Sequence, residues 1–141
     1  MSVILAIDPG ASGGLAWNDP AAGIVAEPIP DTDGGLLATL ETVIRSAGGP
    51  EHVSAYLEKV SGFAGNEHPG SAMFKFGRGY GFAQGALMAL RVRVELVTPQ
   101  RWQKALRVGA RGDLSRADWK RKLRSHAERL FPGRQVTLAT A

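Results

Sequence analysis

Two carboxylates in this chain stand where a charge is hard to keep. Asp8 follows the apolar run Val3-Ile4-Leu5-Ala6-Ile7, and Glu58 follows Val53-Ser54-Ala55-Tyr56-Leu57. The first run reads as a strand buried on both faces, and an acid at the end of such a strand needs something to pair with its charge. After Asp8 the chain turns through Pro9-Gly10-Ala11-Ser12-Gly13-Gly14, which leaves room for a ligand to approach. That combination can begin a metal or phosphate site. It can also mean only that Asp8 caps its own turn. If the two strands lie side by side and parallel, both acids emerge at one sheet edge. A divalent cation would relieve their repulsion there.

A second group of residues carries the opposite charge. Between positions 99 and 134 the chain holds 11 basic residues, among them Arg101, Lys104, Arg116, Lys120, Arg121 and Arg124, against the acids Asp113, Asp118 and Glu128. This segment is +8 and the remainder −4, within a net charge of +4. A cationic surface of this kind meets a polyanion, or it is a solvated helix face and nothing more. With no cysteine there are no disulfides and no thiolate metal sites, which fits a reducing cytoplasm. His52, His68 and His126 are too scattered to form a metal triad, and no serine sits in a nucleophile elbow, so covalent catalysis has no support. No apolar run approaches the roughly 20 residues that span a bilayer, and no secretory signal is visible. A cytoplasmic protein without a membrane partner is the expectation.

The elements that must position these residues can be read along the chain. For 141 residues a single domain over 1–141 is expected. Leu15-Ala16-Trp17 reads as a second strand returning antiparallel, and Gly23-Ile24-Val25-Ala26 as a third. A helix over about 34–46, capped by Asp33, shows the stripe Leu36, Leu37, Leu40, Val43 and Ile44. The strand ending at Glu58 comes next, then a loop over 61–70, a helix over about 71–90 and a strand over 92–97. Pro99 opens a short helix to about Leu106, and Ser115 with Asp118 forms a capping box for a last helix to about Phe131. Strands separated by helices should lie parallel to the first. The expected class is therefore α/β, a mixed five-stranded sheet flanked by helices. Open sheets of this kind place their sites at the carboxyl ends of the parallel strands.

Ile4-Leu5-Ala6-Ile7-Asp8-Pro9-Gly10, Tyr56-Leu57-Glu58-Lys59-Val60 and Val97-Thr98-Pro99-Gln100-Arg101-Trp102 together resemble the RuvC-type Holliday junction resolvases, in particular their phage- and plasmid-like relatives within the ribonuclease H-like fold. The resemblance spans nearly all of the chain. It implies a homodimeric, structure-selective endonuclease of DNA recombination and repair, which hydrolyses phosphodiesters in four-way junctions with two Mg²⁺ ions, or Mn²⁺ in their place, held by four acids. Asp8 matches the first acid and Glu58 the second. Lys120 falls in the region of the family's active-site lysine, and Phe63 near its junction-centre aromatic. The remaining acids lie in the family on a final helix, after a segment like Val136-Thr137-Leu138-Ala139-Thr140-Ala141. No acid follows Glu128 here, so a C-terminally shortened domain is expected. The alternative is a branched-DNA-binding module of the same fold without catalysis. A sugar- or acetate-kinase-like fragment is disfavoured by the length, since such enzymes need two domains around a nucleotide.

Two further features leave choices open. Gly77, Gly81, Gly85 and Ala89 recur every four residues in the second helix, a smooth stripe that admits another backbone. Packing within the molecule is expected for part of it and a dimer contact for the rest. Phe63 could stack on an opened base or fold back on the core. In the last helix Trp119, Leu123, Ala127 and Leu130 form the apolar stripe, and the basic residues fall elsewhere on its circumference.

Overall fold

The computed structural model describes residues 2–60 and 70–134. Five strands, β1 (Val3–Ile7), β2 (Gly14–Asp19), β3 (Gly23–Pro28), β4 (Val53–Glu58) and β5 (Arg93–Val97), form one sheet in the order β3-β2-β1-β4-β5. The first three strands run as an antiparallel meander, and β4 and β5 add parallel to β1. The α/β class and the mixed sheet expected from the sequence, with its antiparallel and parallel parts, are thus present. Four α-helices accompany them: α1 (Asp33–Ala47), α2 (Gly70–Ala89), α3 (Pro99–Ala105) and α4 (Arg116–Leu130), with a 3₁₀ turn at Pro50–His52. Among the described residues no helix is long and apolar enough to cross a membrane.

The core lies on one side of the sheet. Val3, Leu5 and Ile7 of β1, Leu15 and Trp17 of β2, and Val53, Ala55 and Leu57 of β4 are buried against Leu36, Leu40 and Val43 of α1 and Ala83, Ala86 and Leu87 of α2. The reading of β1 as buried on both faces is corrected. Its alternate residues Ile4 and Ala6 are exposed, as is Tyr56 of β4. β1 is the central strand of the five, and among the described residues its second face is left uncovered at Ile4 and Ala6. That open face carries, by strand alternation, Ile4, Ala6 and Asp8 beside Ser54, Tyr56 and Glu58.

Local sequence rules account for the helix ends, with one correction. The residue that caps α1 is Thr32, whose hydroxyl accepts from Gly35 N at 3.0 Å, and not Asp33. Asp33 occupies the first helical turn and pairs with Arg78 of α2 instead. The capping box of α4 forms as read: Ser115 accepts from Asp118 N at 3.0 Å, while its hydroxyl donates to the Asp118 carboxylate at 2.7 Å. Three helices close alike. A left-handed residue follows each, Gly48 after α1, Arg91 after α2 and Arg107 after α3. In each case its N–H returns to a carbonyl three residues back, and the next N–H returns five back.

The glycine stripe departs from expectation. Gly77, Gly81, Gly85 and Ala89 are all exposed, and a Cβ built on any of the three glycines meets nothing within 4 Å. Among the described residues the expected packing of part of this stripe inside the molecule does not occur, because Ala83, Ala86 and Leu87 turn the opposite side of α2 to the sheet. Helix α4 also stays peripheral, with Trp119, Leu123 and Ala127 half-buried and Leu130 exposed.

Candidate metal centre

The parallel pairing of β1 with β4 sets Ile7 opposite Leu57, so the next residues, Asp8 and Glu58, leave adjacent strands at the same edge and on the same face. The turn after Asp8 is tight. Asp8 N donates to Gly14 O at 2.9 Å and Gly13 N to Gly10 O at 2.8 Å. A side chain at position 13 would collide with the Asp8 carbonyl oxygen, and its Cβ would lie 2.9 Å from that of Gly10. Glycine is therefore required there for close approach and not for flexibility.

The turn-capping role of Asp8 is present, and it leaves room for a second one. Its Oδ1 accepts from Gly10 N at 3.0 Å, while its other oxygen has no such partner among the described residues. Glu58 is held in the same way from a different direction. Trp102 Nε1, on α3, donates to Glu58 Oε2 at 2.7 Å. Half-burial pushes the Glu58 carboxyl above its ordinary value and the negative charge of Asp8 adds to the rise, while the indole bond opposes both. Two like charges at one edge suit a cation between them.

The donor set fits one hard divalent ion. Mg²⁺ is commonly held by one or two carboxylates with water completing its shell. Among the described residues no group of three or more acids, histidines or cysteines could hold a metal, so Asp8 and Glu58 have no third protein ligand beside them there.

The other candidate residues fall into two sets. The β5 register places Val97 opposite Glu58, so Thr98 and α3, with Arg101 and Lys104, start at the acidic edge. Arg101 pairs with Glu95 at 2.6 Å. On α4, Arg121 pairs with Asp118 and Arg124 with Glu128, both within the helix. Arg116 is exposed, Lys120 is half-buried, and Lys120 makes no ion pair with Asp8 or Glu58 among the described residues. Phe63 lies outside the described residues.

Trp102 belongs to the Val97–Trp102 motif, but its bond to Glu58 is a contact that motif and charge alone do not assign. The signal lay in Thr98-Pro99: a threonine cap and a proline start a helix directly after β5. One turn later that helix sets its side chain over the neighbouring strand end. A scan against protein-family models finds no match, and a search of curated proteins finds none either.

Proposed function

We propose that this chain is a ribonuclease H-like domain of the RuvC resolvase type, which binds branched DNA and carries a divalent-cation site at Asp8 and Glu58. The observation that carries the reading is the convergence of those two acids at the carboxyl ends of adjacent parallel strands. The +8 segment from 99 to 134 supports it, starting at the same edge with α3 and supplying cations for a phosphate backbone. Mg²⁺ when bound would polarise a phosphodiester and lower the pKa of a water. The chain's own residues hold it: Asp8 and Glu58 give oxygen donors, and the Gly10 and Trp102 N–H groups fix them. Arg101, Lys104, Arg116, Lys120, Arg121 and Arg124 position the strand. A homodimer is part of the proposal, since a four-way junction offers two symmetric strands and the exposed stripe of α2 would admit a second copy.

The absence of a third ligand among the described residues favours a second reading, a binding module of the same fold that does not cut. Gel-shift and cleavage assays on one sample decide between them. A four-way junction should bind more tightly than duplex of the same length in Ca²⁺. With no ligand beyond the two carboxylates among the described residues, the attacking water or the leaving oxygen lacks its clamp, so cutting in Mg²⁺ should be slow or absent. Equal affinity for junction and duplex would overturn the junction reading. Asp8→Asn should weaken Mg²⁺ in calorimetric titration, and an unchanged affinity would remove the metal site.

A further inference from the structure

Each of the two acids has one oxygen already engaged by a fixed N–H. For Asp8 the donor is the backbone of its own turn, at 3.0 Å. For Glu58 it is a side chain 44 residues away, Trp102, at 2.7 Å. A bond this short, from a donor on a separate helix to a half-buried carboxylate, fixes the plane of the carboxyl group as well as its position. The pinned oxygen, Oε2, spends a lone pair on the indole and is shielded by its ring. The other, Oε1, has no hydrogen bond among the described residues.

We propose that Trp102 is a positioning residue that makes Glu58 a one-oxygen ligand, and so tunes the site toward Mg²⁺ and against Ca²⁺. This rests on the reading of Asp8 and Glu58 as cation ligands. The chemistry follows from the two ions. Mg²⁺ is small, demands near-octahedral geometry, keeps several waters and takes carboxylates through single oxygens. Ca²⁺ is larger, takes more oxygens and readily accepts both from one carboxylate. A tryptophan suits the pinning role, since indole Nε1 only donates and cannot itself compete for the ion. The donor sits on α3, whose start is fixed by Thr98 and Pro99, so it arrives preset and is not recruited by the metal.

The test is Trp102→Phe, which keeps an aromatic ring and deletes the donor. Mg²⁺ and Ca²⁺ affinities are measured by calorimetry on both proteins. Wild type should prefer Mg²⁺, and the variant should shift the Mg²⁺-to-Ca²⁺ affinity ratio toward Ca²⁺ by about tenfold, the lower range for loss of an outer-shell partner. A ratio unchanged within about twofold, with Mg²⁺ still bound, overturns the positioning role and leaves the metal site standing. Wild type that binds neither ion overturns both. Should the variant fail to fold, the wild-type indole ¹H–¹⁵N resonances decide. The Trp102 signal should move on addition of Mg²⁺ with the calorimetric dissociation constant, and should be insensitive in Glu58→Gln. A Trp102 signal that ignores Mg²⁺ in a protein that binds it overturns the proposal.

Discussion

At the scale of single residues, the site depends on two positions with very different chemistry. Gly13 is one, and it has no side chain to offer. A methyl group there would drive into the Asp8 backbone. Gly13→Ala is therefore expected to destabilise the domain by roughly 2 kcal/mol, in the range of backbone-strain substitutions, and to weaken Mg²⁺ binding more than a remote change of equal cost. Denaturant unfolding and calorimetry on the same protein check both. Glu58 is the other, and a source of instability. Its carboxyl is pushed up by burial first and by Asp8, so the folded chain holds that proton more tightly than the unfolded one. Its favourable contribution is then full below the ordinary carboxylate value and is lost as pH rises through the raised one. In chelator, Glu58→Gln should be more stable than wild type at neutral pH, with the advantage vanishing near pH ~4. A constant difference across that range would contradict the assignment. Asp8 and Glu58 are legible in the sequence because each ends an apolar run. The bond from Trp102 is only half legible: Thr98-Pro99 marks the start of α3 directly after β5, but the direction the helix then takes is set by packing and not by a local pattern.

Among the elements, what is legible and what is not separates by range. Caps and turns are local, and they can be read down to the Ser115–Asp118 box. Thr32 and Asp33 are both good caps in adjacent positions, and the backbone takes only one, so sequence alone favours the wrong member of the pair. The three similar helix ends carry a prediction. Gly48 accepts the left-handed conformation freely, whereas Arg91 and Arg107 adopt it with φ of 59° and 54°. Non-glycine residues there are strained by about 1 kcal/mol. Arg91→Gly and Arg107→Gly should each stabilise the DNA-free protein by about that amount, and the effects should add because they close different helices. Thermal unfolding of both single variants and the double tests this; destabilisation would mean that the arginine side chains make interactions worth more than the strain. The stripe on α2 is visible as a spacing, but its direction is not. Periodicity places residues on one side of a helix without saying which side meets the sheet.

Over the whole molecule the asymmetry is electrostatic as well as structural. One stretch is +8 and the rest is −4, and the acidic edge adjoins the start of the basic stretch. The in-helix pairs of Arg121 and Arg124 are solvent-exposed and worth little, so a phosphate can capture either guanidinium. Junction affinity should fall steeply with salt. Replacing Lys120, Arg121 and Arg124 by Ala should flatten the plot of log K against log salt by roughly 0.9 for each phosphate no longer neutralised. An unchanged slope would return α4 to a solvated face. Class, strand directions and charge division all follow from sequence, because they depend on sums over many residues. The open face does not, since an apolar strand looks alike whether one or both of its sides are covered.

The register of β1 against β4 has a consequence for how the molecule reaches its working state. Asp8 and Glu58 are 50 positions apart in sequence, yet they meet through a parallel pair that only a crossover can close. Such a pairing comes at a high entropic cost of chain closure, and it forms only when the meander and the segment beyond α1 have docked. The cation site is thus a product of the complete topology, with no partial version in either half of the chain. An ion bound at the proposed site would favour the finished sheet over the open chain. Added Mg²⁺ should therefore slow unfolding more than it speeds folding, which stopped-flow unfolding with and without the ion would measure.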